Sequence, residues 1–246
     1  MRQFIQSDGL HRKLEGWPLV FTILTTIAIL IGGTVEFLPL VLIEDNVPRI
    51  ATVKPFTPLE VEGRDIYIRE GCNNCHSQMV RPFRHEIERY GEYSKPGETV
   101  YEHPFLWGSK RTGPDLARVG GKYPNLWHVR HMEDPRSTSP RSIMPPYPWL
   151  LEKTLDLSDL PAKLRSLRAV GVPYTDEEIA GAIEAARAQA RAIAEDVAAQ
   201  GGPAGLEEKE IVALVAYLQR LGQDLKASMQ TTAQATPSTA NGGPTP

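Results

Sequence analysis

Residues 72–76 read Cys-Asn-Asn-Cys-His, a Cys-x-x-Cys-His sequence that is typical of covalent attachment of a c-type haem. The attachment chemistry requires this spacing, because each thiol adds to one vinyl group of the porphyrin and the next residue supplies an imidazole ligand to the iron. Cys72 and Cys75 are the only cysteines of the chain, so neither is left for a disulfide. The motif predicts one covalent haem with His76 as its first axial ligand.

Three other interpretations of the motif compete with haem attachment. A redox-active Cys-x-x-Cys is expected within a βαβ pattern, which the surrounding sequence lacks. A structural zinc site needs four ligands, usually as two pairs, and no second pair follows at a suitable spacing. Chance occurrence is the third interpretation. We favour haem attachment over all three.

An apolar segment near the N-terminus is long enough to cross a membrane. Residues 19–35 contain no charged side chain, and after Glu36 the apolar character continues to Ile43, which makes a stretch of 25 residues. At about 1.5 Å rise per residue, a helix of this length exceeds the roughly 30 Å of a hydrocarbon layer. A cleaved signal peptide is the alternative, but the stretch is longer than a usual signal core and no small-x-small cleavage site follows it. We therefore predict a retained transmembrane anchor.

Charges on either side of this segment predict its orientation. Arg2, Arg12 and Lys13 precede it, whereas Glu44 and Asp45 follow it at once. By the positive-inside rule, the N-terminus lies in the cytoplasm. Bacterial c-type haem is attached in the periplasm, which independently places the rest of the chain outside the cytoplasm. The expected location is the bacterial inner (cytoplasmic) membrane, with a single pass.

Composition and hydrophobic periodicity predict how the remaining residues are organised into helices, loops and a tail. The net charge of −3, with both signs interspersed, gives no indication of nucleic-acid binding. Helices are predicted over residues 59–70, 175–197 and 207–226; the second opens with a Thr-x-x-Glu capping box and carries a narrow alanine stripe suited to close helix packing. Residues 77–150 are rich in proline, glycine and aromatic residues, as expected of loops that enclose a haem. The segment from Ser228 onward is rich in Thr, Ala, Pro and Gly and is predicted to be disordered.

The second axial ligand of the iron is not decided by spacing. The usual possibilities are methionine, a second histidine or an open position. Met1 and Met229 lie near the ends of the chain, and Met79 follows His76 too closely to reach the opposite face of the haem. The remaining candidates are Met132 and Met144, with His85, His103, His128 and His131 as nitrogen alternatives. Prolines restrict the backbone around Met144, but methionine is also a common core residue, so both interpretations stay open at this point.

Longer motifs around these residues point to a family. They are GCNNCHSQMVRP, FLWGSKRTGPDLARVGG, MPPYPWL, VPYTDEEI and ALVAYLQRLG, in this order behind one N-terminal anchor. Together they resemble the membrane-anchored mono-haem cytochrome c subunit (subunit II, or O subunit) of cbb3-type cytochrome c oxidases. The similarity extends from about residue 5 to residue 225. The series discriminates far better than Cys-x-x-Cys-His alone, which all c-type cytochromes share.

This resemblance implies a fold and a set of site residues. The fold is a class I cytochrome c domain, mainly α-helical, in which the helices at 59–70 and 207–226 pack against each other. His76 matches the proximal ligand of the haem iron and Met144 the distal ligand. The carbonyl of Pro114 is implied to accept a hydrogen bond from the proximal imidazole, which holds the ring and raises its basicity.

The resemblance also implies a domain order and further contacts. The expected segments are a cytoplasmic N-terminus, a transmembrane anchor, a linker, a periplasmic cytochrome c domain and a disordered tail, at residues 1–16, 17–43, 44–58, 59–227 and 228–246. A helical insert is expected at about 155–203. Residues 109–111 are expected near the catalytic subunit and the haem propionates. A calcium ion occurs at such an interface in the family, and its ligands are not assigned.

The expected function is electron transfer. A His/Met haem leaves no open position for oxygen, so the chain passes single electrons, and methionine ligation generally raises the potential as a donor to an oxidase requires. The expected partners are a polytopic catalytic oxidase subunit, a second c-type cytochrome subunit, a soluble or membrane cytochrome c donor, and membrane lipid. Oxygen reduction and proton translocation belong to the oxidase complex rather than to this chain.

Two alternative functions remain. One is a stand-alone membrane-tethered shuttle, or a component of a quinol-oxidising complex, which would need a flexible linker. Residues 44–58 are short and contain Pro48, Pro55 and Pro58, which favours rigid docking. The other alternative is a haem enzyme or gas sensor with an open iron position.

Overall fold

The described part of the chain is mainly helical. A computed structural model describes residues 8–43, 48–108 and 110–235. Within these residues the only β-type pairing is an isolated antiparallel bridge between Thr154 and Lys209. The predicted all-helical class is confirmed.

The chain forms two compact units, residues 1–48 and 49–246. The first unit contains the helices α1 (Asp8–Glu15) and α2 (Pro18–Leu42). Residues 18–40 of α2 have a mean hydropathy of 2.1 and, of the described chain, are the one helical stretch long and apolar enough to cross a membrane. The predicted apolar helix near the N-terminus is therefore confirmed.

The second unit contains the remaining helices. In chain order they are α3 (Pro58–Arg69), α4 (Arg84–Tyr90), α5 (Asn125–Glu133), α6 (Pro135–Thr138), α7 (Trp149–Glu152), α8 (Leu160–Ala169), α9 (Asp176–Ala180), α10 (Ala182–Ala199), α11 (Glu210–Arg220) and α12 (Gln223–Ala235). Two short 3₁₀ helices lie at Cys72–Asn74 and Pro96–Thr99. Helices α4 to α7 fall in the region predicted to be loops, because each is too short to show a helical period in the sequence.

Helices α3 and α11 cross in close contact in this unit. A capping box starts α3, since Thr57 N–H donates to Glu60 Oε2 at 2.8 Å and Glu60 N–H donates to Thr57 Oγ1 at 3.4 Å. At the crossing, a Cβ on Gly63 would overlap the carbonyl oxygen of Ala213 and lie 2.8 Å from Cβ of Tyr217. Glycine is therefore needed for the two backbones to approach so closely. The predicted packing of these two helices is confirmed.

The last predicted helix is in fact two helices, separated at Gly222. Gly222 has φ +81°, and a Cβ there would lie 2.6 Å from the carbonyl oxygen of Ala117. The carbonyl of Leu221 accepts a hydrogen bond from Gly120 N–H at 3.0 Å, so a loop that carries part of the site packs into the break. Helix α12 continues to Ala235, so the first residues of the predicted tail are helical. Residues 236–246 lie outside the described part of the chain.

The helical insert packs on the central pair through its alanine stripe. The capping box of Thr175 and Glu178 forms as predicted, with Glu178 N–H donating to Thr175 Oγ1 at 3.2 Å. The helix is interrupted at Gly181, so the predicted helix is split into α9 and α10. The stripe of α10 is almost completely buried and contacts α3, α11 and α5; its members are Ala182, Ala186, Ala190 and Ala194. Small side chains let these helices lie close together.

Part of the predicted linker belongs to the second unit. The Thr52 hydroxyl donates to the carbonyl oxygen of Asp224 at 2.8 Å, and Lys54 N–H donates to Asp224 Oδ2 at 3.2 Å. Arg220 donates in turn to the carbonyl oxygen of Lys54 at 3.1 Å. Residues 44–47 lie outside the described part of the chain.

Candidate functional site

The Cys-x-x-Cys-His residues form the turn that follows α3. Gly71, with φ +73°, lets the chain leave the helix and enter the 3₁₀ turn that starts at Cys72. The N–H groups of Cys75 and His76 both donate to the carbonyl oxygen of Cys72, at 3.2 Å and 3.0 Å. This compact turn brings both thiols and the imidazole to the wall of one cavity.

That cavity, called the motif cavity below, has a volume of about 650 Å³. Ligand and cofactor sites usually measure about 300–1,000 Å³. All five residues proposed for the site line it, namely Cys72, Cys75, His76, Pro114 and Met144. Much of the remaining wall is apolar or aromatic and includes Tyr67, Val119, Tyr123, Trp127, Met132, Tyr147, Leu214 and Leu218. The cavity therefore joins residues that lie far apart in the sequence.

The His76 ring is held in one tautomer by Pro114. Its Nδ1 lies 2.7 Å from the Pro114 carbonyl oxygen, which can only accept a hydrogen bond. Nδ1 therefore carries the proton, and Nε2 keeps a lone pair free for a metal. Gly113 makes this approach possible, since a Cβ there would lie 2.7 Å from Nδ1 and 2.8 Å from Nε2.

A buried carboxylate ties the loop of Pro114 to the motif. Asp115 Oδ2 accepts from the Ser77 hydroxyl at 2.6 Å and from Met79 N–H at 2.9 Å, while its Oδ1 accepts from Ala117 N–H at 2.9 Å. Asp115 and Ser77 are both buried. The residue after His76 and the residue after Pro114 are thus bonded directly, which sets the separation of imidazole and carbonyl.

Arg111 completes this cluster from a second side. Its guanidinium donates to the Ser77 hydroxyl at 2.7 Å, to the Met79 carbonyl at 2.8 Å and to Glu86 Oε2 at 2.8 Å. Glu86 is 1 % exposed and also contacts Arg81. The hydrogen bond from Arg111 lowers the pKa of Glu86 to about 2, against the opposing effect of burial. Glu86 is therefore ionised and paired with Arg111 at neutral pH.

The expected position of residues 109–111 near the catalytic subunit and the haem propionates stays a prediction. Ser109 lies outside the described residues and Lys110 is exposed. Arg111 faces the Ser77 cluster and does not line the motif cavity. The cationic side chains that do line this cavity are Arg118, Lys122 and Arg141.

Two methionines and two histidines share the motif cavity with the His76 imidazole. Met132 and Met144 both line the motif cavity, as do His128 and His131. Met79 instead lines a second cavity. Of the other candidates, His85 is exposed and stacks on Phe83, and His103 lines a third cavity.

Burial disfavours the charged forms of His128, His131 and Cys72 and shifts their pKa values accordingly. Burial lowers the pKa of His128 to about 4, with a smaller contribution from His131. His131 is half-buried, and its Nδ1 lies 2.6 Å from Thr138 Oγ1. Burial also raises the pKa of Cys72 to about 12, so its thiol is protonated at neutral pH.

The residues around the motif cavity fit a c-type haem. Two thiols, an imidazole with its Nε2 free and a thioether are the groups such a haem uses, and the apolar wall suits a porphyrin. Gly113 leaves the space that the imidazole occupies. Over residues 8–43, 48–108 and 110–235, no cluster of three or more His, Cys, Asp or Glu side chains could hold a separate metal ion, so calcium stays an expectation.

Five residues were not given their supporting role from the sequence, although Arg111 was named there for a different one. They are Ser77, Glu86, Arg111, Gly113 and Asp115. Gly113 and Asp115 flank Pro114 in the Gly-Pro-Asp sequence, which was the one available signal. The other three become apparent only through contacts between distant segments.

Comparison with known proteins agrees with this geometry. The family model described as cytochrome c oxidase, mono-haem subunit/FixO matches residues 11–225. A comparison with curated proteins gives no match. The match covers the apolar helix, the motif turn and the crossing helices, and it confirms the resemblance found in the motifs. The chain therefore belongs to the family of mono-haem subunits of cytochrome c oxidase.

Proposed function

We propose that this subunit holds one haem c through thioether bonds to Cys72 and Cys75, with His76 and Met144 as axial ligands of the iron. In this role the chain relays single electrons towards the catalytic subunit of a cbb3-type oxidase. The observation that carries the proposal is the meeting of two thiols, one oriented imidazole and the thioether of Met144 at a single, mainly apolar cavity. The family assignment supports a single haem in an oxidase subunit.

The residues supply attachment, orientation and shielding, while the haem supplies a one-electron couple. Each thiol adds its S–H across one vinyl group, which consumes no oxidant. Pro114 holds the Nδ1 proton of His76, and the Ser77–Asp115 bond holds Pro114 in place. The apolar wall keeps water away from the iron.

Met144 is the better of the two methionine candidates. It lies half-buried on an irregular segment, where its N–H donates to Ser142 Oγ at 3.2 Å and Pro145 follows. Met132 belongs to α5 and to the buried core, and its carbonyl accepts from Tyr147 N–H at 2.7 Å. Because Met132 already has a packing role, we assign iron ligation to Met144, in agreement with the family pattern.

We further propose that α2 anchors the chain in the inner membrane, with its N-terminus in the cytoplasm and the haem unit in the periplasm. Basic residues before the helix and acidic ones after it support this orientation. The hydroxyls of Thr22 and Thr26 bond to carbonyl oxygens one turn back, at 2.8 Å each, which satisfies them in lipid. The bonds of Thr52 and Lys54 to Asp224 leave little free linker, which favours rigid docking in the oxidase over a stand-alone shuttle.

Haem retention and ligand binding test the proposal together. The denatured wild-type chain should keep its haem on a gel, and Cys72→Ser combined with Cys75→Ser should lose it. The reduced wild-type protein should barely respond to carbon monoxide, because both axial positions are taken. Haem staining that survives the double substitution would refute covalent attachment. A full carbon monoxide spectrum would favour an open-site enzyme or sensor instead.

A further inference from the structure

A second cavity, called the polar cavity below, lies in the haem unit and has a volume of about 230 Å³. One of its lining residues, Arg118, also lines the motif cavity. Its wall combines apolar residues such as Val53, Phe56 and Leu221 with seven charged ones, namely Lys54, Lys95, Glu98, Glu102, Arg118, Arg220 and Asp224. None of these charged groups has an assigned part in the proposed electron transfer.

One carboxylate of this wall differs from the others in having no partner among the described residues. Glu98 pairs with Arg118 at 2.7 Å, and Asp224 pairs with Arg220 at 2.6 Å. Within the described chain, the carboxylate of Glu102 has neither a hydrogen bond nor an ion pair. Glu102 is therefore an acceptor without a protein donor.

An unpaired donor lies at the same cavity. Gln78 lines it and is 7 % exposed, yet its Nε2 has no partner in the described protein. The Oε1 of Gln78 accepts from the Tyr217 hydroxyl at 3.1 Å. Buried polar groups without partners are costly, and a polar cavity of this volume has room for several waters, each needing two to four such groups.

The polar groups reach the wall of the motif cavity. Tyr67 lines that cavity, and its ring centroid lies 5.3 Å from that of Tyr217. The Tyr67 hydroxyl is buried near Gln78 and has no hydrogen-bond partner within the described residues. A row of polar groups thus extends from Tyr67 through Gln78 and Tyr217 towards Glu102.

Opposing charges face Glu102 from the surrounding elements. Arg64 of α3 favours its ionised form, and Glu98 of the 3₁₀ turn disfavours it. The negative charge of Glu102 disfavours ionisation of Tyr217 in α11. The remaining charged groups of the cavity wall are Lys54, Lys95, Arg118, Arg220 and Asp224. Burial is the largest effect and raises the pKa of Glu102 to about 7, so both of its protonation states are accessible near neutrality.

We propose that the polar cavity holds ordered water joining Glu102 to Gln78 and Tyr217, and that Glu102 takes up one proton from bulk water when one electron enters the motif cavity. The inference rests on the proposed function, in which a donor cytochrome c supplies the electron. The proton forms one O–H bond on the carboxylate, and no other bond changes. We take a tenfold change in proton affinity as the expected size; two unit charges at an effective dielectric constant of about 20 produce it at a separation of roughly 12 Å.

The pH dependence of the haem potential tests this inference. The full-length chain in detergent is titrated spectroscopically with redox mediators at several pH values around neutrality. In the wild type the haem potential should fall as the pH rises. If the proton affinities of the two redox states differ about tenfold, the total fall is about 59 mV for a one-electron couple. Glu102→Gln should remove this part of the dependence, and Glu102→Asp should keep some of it. Glu88→Gln, an exposed carboxylate outside the polar cavity, is the matched control.

Two further measurements extend the test, and the first of them needs no variant. Reduction of the wild type in unbuffered solution with an indicator dye should show proton uptake near pH 7. The redox-difference infrared spectrum should contain a protonated-carboxyl band, which Glu102→Gln removes. A Glu102→Gln profile that superimposes on the wild type, or a wild type without proton uptake, would overturn the inference. A wild-type chain without covalent haem would instead refute the proposed function.

Discussion

Replacing Gly113 with alanine tests whether the space beside His76 determines the geometry of the site. The added Cβ would lie 2.7 Å from Nδ1 of His76 and 2.8 Å from Nε2, with Cε1 closer still. The ring must withdraw by about 1 Å to reach an ordinary contact of roughly 3.5 Å. Its 2.7 Å hydrogen bond to Pro114 would then be lost.

The magnitude follows from these two effects. Overpacking a well-packed site costs about 1–3 kcal/mol, and losing the hydrogen bond costs about 1 kcal/mol. We therefore expect Gly113→Ala to lower the free energy of unfolding of the haem-loaded chain by roughly 2–4 kcal/mol. The displaced imidazole should also make the reduced haem partly reactive towards carbon monoxide.

Denaturant unfolding and a carbon monoxide difference spectrum measure both effects. Gly181→Ala is a suitable control, because Gly181 also has an ordinary negative φ and its nearest neighbour would be 3.3 Å from the new Cβ. The control should change neither quantity appreciably. If Gly113→Ala unfolds like the wild type and binds no carbon monoxide, the proposed dependence of the ligand on this space is wrong.

Three more predictions concern the Arg111 cluster, the iron and the anchor. Folding lowers the pKa of Glu86 from 4.5 to about 2, so the ionised carboxylate contributes about 3 kcal/mol to the free energy of unfolding. This contribution is complete above about pH 4.5 and is lost as the pH falls to about 2. Glu86→Gln should therefore be less stable at pH 7 and lose less on acidification in pH-dependent denaturant unfolding; equal pH slopes would contradict this. Met144→His should lower the haem potential and abolish the weak near-infrared sulfur–iron band, and an unchanged band would transfer the ligand to Met132. A polyleucine helix in place of α2 should keep insertion and haem but weaken co-purification with the catalytic subunit, since small and polar residues mediate helix association in lipid; full co-purification would make α2 only a tether.

Local patterns predicted the fold well where a single segment carries the signal. The capping box at Thr175 formed because its partners lie three residues apart. An alanine stripe was predicted for α10, and Ala186 and Ala190 are buried in it as expected, because burial of one helix face leaves a period in the sequence. The division of the last helix at Gly222 was missed, since the apolar stripe continues across the break. What breaks the helix is contact with Ala117, a residue about a hundred positions away.

The sequence by itself determined the chemistry that fits within one turn or one helix. Cys72, Cys75 and His76 are neighbours in the chain, so their spacing defines a haem motif without any tertiary contact. A long apolar stretch likewise predicts a helix able to cross a membrane, because that prediction depends only on length and composition.

Only the tertiary structure decided which distant residues support that chemistry. The close crossing of α3 and α11 at Gly63, together with the packing of the loop at Ala117 into the helix break, brings Pro114 to His76. Tertiary packing likewise places the half-buried Glu102 in one cavity wall with the unpaired Nε2 of Gln78, although nothing in its local sequence distinguishes it from other glutamates. Such properties depend on burial and on contacts between segments, which a periodic pattern does not encode.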